Sequence, residues 1–212
     1  MARLVRTVPA ILTDNPTTLE KLVRQTETFT DYAQFDLMDG QFVPSHSVSC
    51  HDIFALEPKF NWEAHLMALQ PEDCLEDFQK AGAKKIVFHY EAVASPVKMI
   101  ELIKALNMKV GLAINPETSN AAFKSLVPEV DSVLFMAVHP GFYGAKFLPE
   151  TLDKIKEFRR TFFKTEVGLD GGVKESNIAD IVRSGVDVVY VGSAIFLQPD
   201  PAAAYRHLTA LV

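Results

Sequence analysis

Eight short apolar runs punctuate this chain: TVPAIL, AQFDLM, WEAHLM, KIVFHY, KVGLAI, VLFMAV, EVGLD and VVYVG. No two of them follow one another without a helix-like stretch between, and that alternation is the strongest constraint on the fold. TTLEKLVRQTETF, PEDCLEDFQKAG, PVKMIELIKALN, SNAAFKSLV, ETLDKIKEFRRTF and ESNIADIVRSG carry apolar residues three and four apart, which gives a helix one buried stripe. HDIFAL is a shorter candidate after the second run, and PDPAAAYRHLTALV closes the chain. Ser95-Pro96 and Ser176 read as helix starts, and Gly82 and Gly185 as helix stops. Strands joined through helices lie parallel, and no hairpin signal interrupts the series. The pattern predicts an α/β fold, the (β/α)8 TIM barrel, as a single domain over residues 1–212. An open doubly wound sheet is the alternative, but no GxGxxG follows the first strand.

Composition narrows the function. A net charge of −6 leaves no basic stripe for nucleic acid. No apolar run reaches the ~18 residues of a membrane span, and MARLVRTVPAIL is too short for a signal peptide. Cys50 and Cys74 stand far apart, in no metal-like spacing, and read as free thiols of a reducing, cytoplasmic compartment.

In AQFDLMDGQFVP, alternation puts Gln34, Asp36 and Met38 on one face of a strand. Asp36, His65 in AHLM and Asp170 in GLDGG fall at inward positions near C-terminal strand ends, where barrels build active sites. A lone inward histidine is more often core than ligand, but an ionised buried aspartate needs a partner, and three such residues point to a site. Asp39 sits in an Asp-Gly turn that accounts for it. The loop DGQFVPSHSVSC is a candidate lid or substrate wall. Glycines converge on the same rim: Gly141 and Gly144 in HPGFYGAKF, Gly171 and Gly172 in LDGGV, and Gly192 with Ser193 in VGSAIF. Backbone amides there suit a phosphate.

FDLMDGQFVP, AHLM, GAKKIVFH, MKVGLAINPET, HPGFYGAKFLPE, LDGGV and VGSAIF, in this order and spacing, resemble the ribulose-phosphate 3-epimerase family from Pro9 to Phe196. The resemblance implies a TIM barrel of ribulose-phosphate-binding type and inversion of the carbon beside the ketone of a phosphorylated ketose. Asp36 and Asp170 would be the acid/base pair, working from opposite faces of an enediolate. It also implies a divalent metal (zinc, iron, manganese or cobalt) held by Asp36, His65, Asp170 and a fourth ligand. Met38, Met67 and Met136 align with the family's methionines around the substrate. Family members form homo-oligomers, so one is expected here.

The chain departs from the pattern at that fourth ligand. Gln34 stands where the family has a histidine, and a neutral amide oxygen suits zinc less well than an imidazole. Ala10 replaces a serine, His139 an acidic residue, Asn115 a lysine and Ala145 a polar residue, while His46 is added in the long loop. The leading expectation is a ketose-phosphate 3-epimerase with a weakened metal site. The alternatives are a related sugar-phosphate isomerase or epimerase with another substrate, and a non-catalytic barrel that binds a sugar phosphate.

Overall fold

A computed structural model describes residues 4–141 and 144–212. Its eight strands are β1 (Arg6–Ile11), β2 (Tyr32–Met38), β3 (Asn61–Met67), β4 (Lys85–His89), β5 (Lys109–Ile114), β6 (Ser132–Met136), β7 (Glu166–Asp170) and β8 (Val188–Val191). They pair in sequence order, all parallel, and β8 returns to β1 through Arg6↔Val188 to Pro9↔Val191, closing a barrel. The expected (β/α)8 architecture is therefore observed.

The helices are α1 (Pro16–Thr26), α2 (Cys50–Leu56), α3 (Leu75–Lys80), α4 (Pro96–Ala105), α5 (Asn120–Phe123), α6 (Glu150–Thr161), α7 (Glu175–Arg183), α8 (Ser193–Phe196) and α9 (Pro201–Thr209). Gly82 and Gly185 take positive φ at the helix stops that the sequence predicts, and Ser95 caps α4 through its side chain. Three details differ from expectation. PEDC forms a 3-10 turn ahead of α3 rather than its first turn. SNAAFKSLV yields only the four-residue α5, because Pro128 cannot continue a helix without clashing against the preceding turn. Ser176 does not start α7. Lys174 occupies the cap with extended backbone, its N–H held by Asn177 Oδ1 at 2.8 Å, so Ser176 lies inside the first turn.

Strands covered on both faces read as nearly unbroken apolar runs. Their outward residues, among them Phe35, Leu66, Phe88 and Phe135, pack against the helices in the main core. Phe123, Phe135 and Phe158 meet there at ring-centroid distances of 5.3 to 6.2 Å. Inside the barrel a smaller cluster forms from Val8, Ala10, Val87, Ala113, Leu134, Met136, Val138, Val188 and Tyr190. Gly168 belongs to this packing by what it lacks: a Cβ there would lie 2.7 Å from the Tyr190 ring and 3.0 Å from Leu134.

The floor of the barrel, at the N-terminal strand ends, is polar. Lys85 Nζ lies 2.8 Å from Glu63 and 3.5 Å from Glu166, and the Tyr32 hydroxyl donates to Glu63 at 2.6 Å. Glu63 is fully buried. Arg6 closes the group from outside, 2.6 Å from Glu166.

Candidate active site

The mouth of the barrel, at the C-terminal strand ends, holds a cavity. Strand register builds its base. Parallel pairing sets Asp36 of β2 beside His65 of β3, and Asp170 of β7 beside Met136 of β6. Asp36, His65 and Asp170 are all buried, and one ligand atom from each lies within 4.8 Å of the others. His65 Nδ1 is 2.9 Å from Asp36 Oδ1 and 3.6 Å from Asp170 Oδ2.

Two inward positions on one strand are neighbours, so Gln34 stands directly below Asp36. Its Nε2 donates to Asp36 Oδ1 at 2.8 Å and to Asp170 Oδ2 at 2.7 Å, across the barrel. Its Oε1 is buried with no partner. Burial pushes the Asp36 carboxyl up to about 7, against the lowering effect of the Gln34 hydrogen bond. Asp170 also rises to about 7, through burial and then the nearby Asp36 charge. Burial holds His65 below the usual imidazole range.

Two carboxylates and an imidazole are the donor set of many divalent-metal sites, and their spacing fits an ion. The fourth position fits less well, since Gln34 turns its NH2 group rather than its oxygen toward the carboxylates.

The remaining predicted residues gather around this base. Met38, Met67 and Met136 line the cavity, as do Gly141, Gly144, Gly171, Gly172, Gly192 and Ser193. Gly171 and Gly172 need to be glycine. Their φ angles are +106° and +67°, and a Cβ would meet Val138 at 2.5 Å and Phe147 at 2.9 Å respectively. Of HPGFYGAKF, Phe142 and Tyr143 lie outside the described residues. Ala10 and Ala145 also line the cavity and offer no hydroxyl to it. His139 is exposed and faces Glu117 at 2.9 Å. The loop after β2 supports the rim without lining this cavity. Its Val43 packs against Gly141, Phe42 lies 4.8 Å from the His89 ring, and the His46 ring sits against Gly40.

Sequence reasoning missed His89 and Glu91. His89 is fully buried at the end of β4, its Nε2 2.9 Å from His65 Nε2. Its Nδ1 faces Glu91 Oε2 at 3.6 Å. Glu91 is anchored by the Asn115 backbone N–H at 3.0 Å and by the Thr118 hydroxyl. The clue was present in KIVFH, where alternation turns Lys85, Val87 and His89 inward together.

Residues 6–196 match the model of the Ribulose-phosphate 3 epimerase family. The chain belongs to that family. It is similar to the ribulose-phosphate 3-epimerase of Aquifex aeolicus, 37% identical over 188 residues that cover 86% of this chain and 85% of the relative. The Escherichia coli K12 ribulose-phosphate 3-epimerase is 37% identical over 180 residues, 80% of this chain and 79% of that one. The Synechocystis ribulose-phosphate 3-epimerase is 34% identical over 213 residues, 96% and 93%. In fold, this family member is similar to a solved 3-hexulose-6-phosphate synthase at TM-score 0.73 and 19% identity, covering 98% of this chain and 100% of that one. An orotidine 5'-phosphate decarboxylase from Pyrococcus horikoshii superposes at TM-score 0.69 and 15% identity, covering 97% and 98%. As a member of an epimerase family, the protein is an isomerase.

Proposed function

We propose that this protein interconverts ribulose 5-phosphate and xylulose 5-phosphate as a ketose-phosphate 3-epimerase. The observation that carries the proposal is the Asp36–Asp170 pair: two buried carboxyls on β2 and β7, both raised to about 7. Inversion at carbon requires a base on one face and an acid on the other. Carboxyls that titrate near neutral pH can hold one proton between them, so either can act in either role. One takes the proton beside the ketone, and the other returns a proton to the opposite face of the enediolate. Asp36, His65 and Asp170 would hold a divalent ion, whose chemistry there is stabilisation of the enediolate charge. Met38, Met67 and Met136 form an apolar wall that excludes water from the reacting carbon. Backbone amides of Gly141, Gly144, Gly171, Gly172, Gly192 and Ser193 would grip the phosphate away from that carbon, where binding energy can serve orientation.

The protein acts as one domain and as a homo-oligomer in the cytoplasm on this reading, with no nucleic-acid or membrane partner. Among the described residues no helix is long and apolar enough to cross a membrane. The test is conversion of ribulose 5-phosphate by purified protein supplied with zinc, cobalt, manganese or iron(II), together with deuterium uptake at C3 in heavy water. Turnover lost in Asp36→Asn and Asp170→Asn supports the proposal, and a folded protein that leaves the substrate unchanged overturns it. Ala10 and Ala145 in the cavity wall favour one second reading, the same proton transfer on a different phosphorylated ketose. A substrate panel in which the pentulose phosphate is the poorest member would establish it.

A further inference from the structure

We propose that the Gln34 amide takes the place of an ion in this site: it cross-links Asp36 and Asp170, keeps the pair assembled with no metal bound, and must be displaced before a metal can enter. The inference rests on the epimerase reading only in treating these two aspartates as the working pair.

The geometry is specific. Two carboxylates in a buried site repel each other, and no lysine or arginine among the described residues is bonded to either of them; their other neighbour is the imidazole of His65. A primary amide carries two N–H bonds on one nitrogen. At Gln34 one serves Asp36 at 2.8 Å and the other serves Asp170 at 2.7 Å, and none is left over. Hydrogen bonds to ionised acceptors are the stronger kind. An imidazole at this position could not do the same, because its two nitrogens point apart.

The amide oxygen shows the cost of the arrangement. Oε1 is buried and unpartnered while Nε2 is fully used. Turning the amide over would exchange the two atoms and leave an oxygen facing the two carboxylates. That arrangement is repulsive when the site is empty, and it is suited to a hard cation when one is bound. The terminal torsion of glutamine is broad, so the exchange needs no backbone change. Gln34 thus sets a threshold for the metal: the ion gains a neutral fourth donor only after breaking two hydrogen bonds.

The experiment compares wild type, Gln34→Met and Gln34→His by melting in chelator and by Co(II) titration read in visible absorption. Methionine keeps the length and removes both donors, whereas histidine restores the family's residue. The expected results are a wild-type midpoint that chelation moves little and a chelated Gln34→Met midpoint lower by ~5 °C. Co(II) should bind Gln34→His ~10-fold or more tightly than wild type. Equal chelated midpoints in wild type and Gln34→Met would overturn the bridge. So would equal Co(II) affinity in wild type and Gln34→His, a comparison that holds even if the methionine variant fails to fold. Neither readout uses turnover, so an inactive protein would overturn the epimerase reading and leave the bridge standing.

Discussion

At the floor of the barrel a buried acid has a cation to answer it: Glu63 lies 2.8 Å from Lys85, with Tyr32 completing the contact. At the mouth, Asp36 and Asp170 share one face of the interior with only an amide and an imidazole between them. On β3 the two environments are consecutive inward residues, Glu63 and His65; on β4 a single inward residue, Val87, separates Lys85 from His89. The same strands therefore carry a balanced charge cluster and an unbalanced one, two residues apart on β3 and four apart on β4. The balanced end serves the fold. The unbalanced end costs stability, and it is the end where a proton can move.

Substitutions separate the two ends, and the largest effect belongs to the mouth. Asp36→Asn or Asp170→Asn should lower kcat by ~10²–10⁴-fold, the range of general acid–base catalysis, and should nevertheless raise stability. The folded carboxyl titrates at about 7, above its ordinary value, so the folded state binds this proton more tightly than the unfolded chain does. Its ionisation then costs stability progressively between about pH 4 and 7. The asparagine variants should gain roughly 2–4 kcal/mol above pH 7, and the gain should vanish below about pH 4. Urea unfolding of each variant against wild type at several pH values measures both the sign and the window.

The floor should behave oppositely. Lys85→Met leaves Glu63 buried without its cation and should cost about 3–5 kcal/mol. The kcat of the folded fraction should stay near wild type. A large kcat loss in a variant that still folds would show that the two ends are coupled.

A smaller effect is expected at the join between site and support. His89→Phe keeps a ring against Phe42 but removes the nitrogen that meets His65 Nε2. If His89 fixes the tautomer of His65, kcat should fall by ~10-fold or more with KM nearly unchanged; an unchanged kcat would make His89 packing alone. Arg6→Ala should have the smallest effect. Its bridge to Glu166 is half-exposed and worth ~0–1 kcal/mol, and that contribution should shrink with added salt.

Period-two alternation placed Asp36, His65 and Asp170 inward at one end of the strands, and the eightfold alternation fixed which end that was. What alternation cannot give is which inward residues meet across the closed barrel. Gln34 with Asp170 is such a contact of closure, made by strands whose facing pairs depend on register and tilt, and even the neighbouring pair Glu63 and Lys85 depends on the register of β3 with β4. Gln34 was visible as a departure from the family pattern, but whether its nitrogen or its oxygen faces the acids is decided by the acids themselves. The long loop after β2 was legible as unusual. Its role as a prop under Gly141 rather than as part of the cavity wall follows from Val43, one apolar side chain among several of similar character.

The missing side chain at Gly168 has a further consequence. The Tyr190 ring fills the space that any larger residue on β7 would claim, so the two positions form a single unit of inheritance. An alanine at 168 is penalised while tyrosine stands at 190, and a small residue at 190 opens a void while glycine stands at 168. Any route from this interior to a differently filled one must pass through both changes together, so a library that varies either position alone would sample only losses.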